Sequence, residues 1–131
     1  MKRILKITAL TLAMLMMAIT LASCGGPAAD PAKAEAALKE NGYLVTLQDG
    51  AWLEGGAALL GYEDLEASLT GIAKDNFIQI YYFETAKAAN NAWEKATKEA
   101  EKEGEGKDNF VVEKSGKMIY FGTKEAVKAA K

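Results

Sequence analysis

The sequence predicts an α+β domain: an antiparallel sheet of about five strands with helices packed on one face, built from tandem β-β-α units. Short β-branched and aromatic runs recur between turn signals, at Tyr43 to Gln48, Leu65 to Thr70, Phe77 to Phe83, Phe110 to Lys114 and Lys117 to Phe121. Thr85 and Thr123 stand where two of those runs give way to helical patterns, in the position of an N-cap. Tyr82-Phe83-Glu84-Thr85 is echoed 38 residues later by Tyr120-Phe121-Gly122-Thr123, so each hairpin leads into a helix of its own.

In chain order, the first stretch is a leader. Lys2, Arg3 and Lys6 precede an apolar run from Ile7 to Ala22, broken only by three threonines. A membrane-spanning helix needs about 20 apolar residues. This run is shorter, as in a secretory signal peptide, here residues 1–23. The run ends in Leu21-Ala22-Ser23-Cys24, an aliphatic residue and two small residues before a cysteine. This pattern resembles the lipobox of bacterial lipoproteins. The resemblance implies that the Cys24 thiol receives a diacylglyceryl group and that a signal peptidase cuts between Ser23 and Cys24. It also implies a lipid-anchored protein on the extracytoplasmic face of the cell membrane. Two acyl chains suit stable anchoring, because a single chain holds only marginally. The other readings of the leader are an uncleaved anchor, or ordinary cleavage that leaves a free thiol.

Residues 24–30 then read as a lipidated cysteine and a flexible tether, and residues 31–131 as a single domain. Asp30-Pro31 suits a helix start, with Ala34, Ala37 and Leu38 as its apolar stripe. Asn41-Gly42 ends it. Tyr43, Val45 and Leu47 share one face of the first strand. The stretch from Ala51 to Gly61 is either a short helix or an ordered loop, since its glycines weaken any helix. Leu65, Ala67 and Leu69 alternate with polar residues, as on a half-buried strand. Lys74-Asp75-Asn76 turns the chain into Phe77 to Phe83. After Thr85 a helix is expected to about Glu103, with Ala89, Trp93, Ala96 and Ala100 as a narrow stripe around one large anchor. Gly104-Glu105-Gly106 is a flexible loop. Ser115-Gly116 turns the last hairpin, and Thr123 caps a terminal helix holding Ala126, Val127 and Ala130.

Removal of the leader changes the charge balance. The mature part has 13 lysines against 18 Asp and Glu, a formal charge of −5, and no arginine. Such a chain is poorly suited to nucleic acid, where Arg and Lys neutralise phosphates and read bases. The sequence has no histidine, and its one cysteine is assigned to lipid. A Ser-His-Asp arrangement and the usual zinc sets are therefore excluded, and no metal or other cofactor is expected.

If the two β-β-α units are equivalent, Phe83 and Phe121 face the helices. Tyr82 and Tyr120 then lie on the opposite face with Ile78, Ile80 and Val111. A sheet apolar on both faces needs a second cover. The Ala51–Gly61 segment, the first helix or a partner could supply it. In the last case Ile78, Ile80, Tyr82, Val111 and Tyr120 would form an interaction surface for a protein or small ligand. The carboxylates Asp49, Glu54, Glu63, Asp64 and Glu66 are the other candidates. Paired carboxylates perform acid–base work or hold calcium, but their spacing matches no calcium loop, and solvated loop charge is the simpler reading. Ser115-Gly116-Lys117 contains a Ser/Lys pair, which at a hairpin tip reads as turn chemistry.

The mature domain also resembles small lipoproteins of Gram-positive bacteria in Tyr81-Tyr82-Phe83-Glu84-Thr85 and Gly122-Thr123-Lys124-Glu125-Ala126. No activity comes with that resemblance. The expectation is a non-enzymatic binding or interaction module tethered to the bilayer through acylated Cys24. The alternatives are a small carboxylate-dependent envelope enzyme and a structural envelope component with no discrete site.

Overall fold

A computed structural model describes residues 26–49 and 61–131. Residues 1–23, Cys24 and the stretch from Ala51 to Leu60 lie outside the described residues, and with them Glu54. The described elements run α1 (Pro31–Glu40), β1 (Leu44–Asp49), β2 (Leu65–Ala73), β3 (Asn76–Phe83), α2 (Ala86–Glu103), β4 (Phe110–Ser115), β5 (Met118–Thr123) and α3 (Lys124–Ala129). No described helix is long and apolar enough to cross a membrane.

The five strands form one antiparallel sheet in the order β1-β2-β3-β5-β4. This is the predicted α+β class. Both central strands are buried almost throughout, Ile78 to Phe83 on β3 and all of β5. Successive side chains point to opposite faces, so a strand buried along its whole length needs cover on both sides. Ile78, Ile80, Tyr82, Met118 and Tyr120 pack with Ala34 and Leu38 of α1 and with Ala126 and Val127 of α3. Tyr81, Phe83, Ile119 and Phe121 pack with the alanines of α2. The helices thus occupy both faces, not one, and α1 and α3 supply the second cover. The facing of Phe83 and Phe121 on one side, and of Tyr82 and Tyr120 on the other, is as the sequence predicts.

The tandem units hold as a chain order but diverge in where their helices go. β3 stops at Phe83, and Thr85 caps α2 by accepting from the Ala88 N–H at 3.0 Å. β5 continues two residues past Phe121, through Gly122 to Thr123. Gly122 sits against β3 so closely that a Cβ there would lie 2.7 Å from Ile78 Cα and against the Phe77 carbonyl. Glycine at this point lets β5 run on along β3, and α3 is delivered to the opposite face.

A second departure lies in β2. Leu65 pairs with Phe83 and Ala67 with Tyr82, so Glu66 is an extra residue bulged out of the ladder. The bulge shifts the facing by one. Leu65 packs on the α2 side while Ala67 and Leu69 pack on the α1 side, in place of one continuous stripe. In α2 the buried stripe is all alanine (Ala88, Ala89, Ala92, Ala96, Ala100), with Trp93 half-buried at its edge. The last hairpin turns at Gly116-Lys117, one residue later than expected, because Ser115 pairs with Met118. Gly116 takes φ 62°, which suits the first position of such a turn.

The expected tether is only partly free of the domain. Pro27 is buried. The Ala28 N–H donates to the Ala130 carbonyl at 2.9 Å, and the Ala28 carbonyl accepts from the Tyr82 hydroxyl at 2.9 Å. Asp30 caps α1 by accepting from the Ala32 N–H at 3.0 Å.

Candidate functional site

The surface expected at Ile78, Ile80, Tyr82, Val111 and Tyr120 is not exposed. The first three and Tyr120 are buried beneath α1 and α3, and Val111 is half-buried against them. The two faces of β3 are equally apolar, and the pattern alone could not say that the chain's own first and last helices close over this one.

Among the described residues, the candidate carboxylates do not converge in a buried cluster. Asp49 ends β1, and Glu63, Asp64 and Glu66 follow on the approach to β2 and at its bulge; all four are exposed. Among the described residues, no three His, Cys, Asp or Glu side chains are placed to hold a metal ion. Ser115 is the last paired residue of β4 and Lys117 the second residue of the hairpin turn.

The side chains that do converge are Tyr62, Tyr81 and Glu99. The Tyr62 hydroxyl donates to Glu99 Oε1 at 2.7 Å, and the Tyr81 hydroxyl donates to Oε2 at 2.9 Å and Oε1 at 3.1 Å. The two rings lie 4.6 Å apart, and the Lys95 ammonium sits 5.4 Å from the centre of the Tyr62 ring. Tyr81 is placed by β3. Tyr62 enters from the segment ahead of β2, and Glu99 comes from α2 one turn beyond Lys95. Burial raises both phenols far above their ordinary titration, and the nearby Glu99 charge and hydrogen bonds raise them further. Both stay protonated, with their protons turned toward one carboxylate. The arrangement clamps the entry to β2 against α2, and its donors and acceptor are spent on one another. Nothing in the local sequence around Glu99 marks it as a partner of either tyrosine. Only the fold brings it to Tyr62, 37 residues away.

Beside this clamp, the β1–β2 part of the same face carries uncharged polar side chains. The main contacts of α2 are with β5, β4 and β3. Across β1 and β2, Gln48 pairs with Ser68, Thr46 with Thr70, and Leu44 with Ile72. Gln79 links the inner members of two pairs: its amide donates to Ser68 Oγ at 2.9 Å, and Thr70 Oγ1 donates to its carbonyl at 2.6 Å. Leu44 and Ile72 end the strip, 80% and 49% exposed. Open grooves flank the β2–β3 turn. One of about 650 Å³ is bordered by Tyr43, Lys74, Glu125 and Lys128. Another of about 570 Å³ is bordered by Ile72, Phe77, Lys107 and Asn109.

Comparison with protein families, with curated proteins and with solved structures gave no match.

Proposed function

We propose that the protein is a lipoprotein anchored to the extracytoplasmic face of the cell membrane, and that its folded domain serves there as a non-catalytic binding or interaction module. The observation that carries this reading is Leu21-Ala22-Ser23-Cys24 at the end of a basic-then-apolar leader. The chemistry it implies is acylation of the Cys24 thiol and cleavage of the Ser23–Cys24 peptide bond. The domain's polar clusters support a non-catalytic role, since Tyr62, Tyr81 and Glu99 satisfy one another and Ser68, Thr70 and Gln79 do the same.

A Cys24→Ala protein is expected to lose fatty-acid labelling and membrane retention together, which metabolic labelling and cell fractionation measure. Labelling that persists in the variant sinks the lipidation reading. Unchanged membrane partition without labelling assigns the anchor to an uncleaved leader. Cross-linking on intact cells, followed by identification of what co-purifies, tests the interaction role.

A further inference from the structure

We propose that the α1–α3 layer of the domain faces the lipid bilayer and that Pro27 and Ala28 hold it there. The proposal rests on the anchored reading above, with the acyl chains on Cys24. Only Gly25 and Gly26 separate Cys24 from the buried Pro27. Three residue steps span at most about 10 Å. Ala28 is fixed at both of its backbone groups, to Ala130 behind α3 and to Tyr82 beneath it. The anchor therefore emerges from the layer that contains α1 and α3.

The α2 layer lies across the sheet, and two layer spacings put its axis about 20 Å farther from the anchor. A three-residue leash cannot carry that side to the bilayer. Charge favours the same orientation. The Asp30–Glu40 stretch and the segment from Lys124 to Lys131 hold five lysines against four acidic side chains, while the rest of the mature chain holds eight lysines against fourteen. An anionic leaflet attracts lysines near its surface and repels carboxylates. Helix α2 itself is neutral, with four lysines against four glutamates, and the acidic excess lies elsewhere in the chain. Charge therefore favours the α1–α3 layer over the α2 layer only slightly, and the short link sets the orientation.

The test uses the full lipidated protein in phosphatidylcholine–phosphatidylglycerol vesicles that carry an energy-transfer acceptor on their headgroups. A donor dye is placed at Lys128→Cys on α3 or at Lys98→Cys on α2, both exposed positions; an acylated Cys24 does not react with the dye. Transfer is expected to be several-fold greater from position 128. A long Gly-Ser insertion between Gly26 and Pro27 is expected to erase most of that difference. Equal transfer from the two positions, or greater transfer from position 98, overturns the orientation. So does a difference that survives the insertion, because a surface other than the short link would then be aligning the domain, such as a bound protein. Intact mass on the same preparations separates the failures. An acylated Cys24 with equal transfer overturns the orientation alone, whereas an unmodified Cys24 overturns the anchored reading with it.

Discussion

Glu99 sits on a helix rich in outward-pointing charge, yet among the described residues it is the one carboxylate that accepts from two tyrosines. Removing the acceptor leaves two phenol donors in an apolar setting. A Glu99→Leu protein is therefore expected to lose about 2 kcal/mol of stability. Glu99→Gln, which keeps a carbonyl oxygen, should lose less. Urea denaturation of the two variants measures the difference, and equal losses would show that charge, rather than hydrogen bonding, holds the clamp. At this scale the sequence is close to silent. Helical periodicity places Glu99 on the rim of the alanine stripe, but its partners come from β3 and from the approach to β2, and no local spacing connects them.

Among the elements, β5 depends most on one missing side chain. A methyl group at Gly122 would meet the backbone of β3, which cannot move aside as a side-chain tip can. Gly122→Ala is accordingly expected to destabilise the domain by about 3 kcal/mol, through overpacking between two central strands. A thermal melt checks it, and an unchanged midpoint would mean that β5 shifts along β3 at little cost. The same position shows where pattern reading stops. The strands, the hairpins, the Thr85 and Thr123 caps and the facing of the paired aromatics all follow from local residue order. The bulge at Glu66 and the side taken by α3 do not, because each depends on how one strand seats against another. The buried runs of β3 and β5 called for cover on both faces, but three candidates remained for the second cover until the fold put α1 and α3 there.

For the whole molecule, alkaline pH is the informative variable. Burial raises the titration of all five tyrosines above the ordinary value of 10.0, and Tyr120 is pushed up to about 12. The folded chain therefore holds phenol protons that the unfolded chain releases. Stability is expected to stay level with respect to these groups below about pH 10 and to fall as pH rises through 12. Urea midpoints across that range test this, with phenolate absorbance expected to rise together with unfolding; a midpoint that stays flat up to pH 12 would contradict the burial of these hydroxyls. One further property follows from the bond between the Ala28 N–H and the Ala130 carbonyl. It brings the two ends of the folded unit side by side, nearly closing the chain into a ring. The domain is thus suited to circular permutation: joining its ends and reopening the ring at Gly104–Gly106 would leave every strand pairing intact. Conversely, any cargo fused after Lys131 would share its corner with the Pro27–Ala28 entry to the domain.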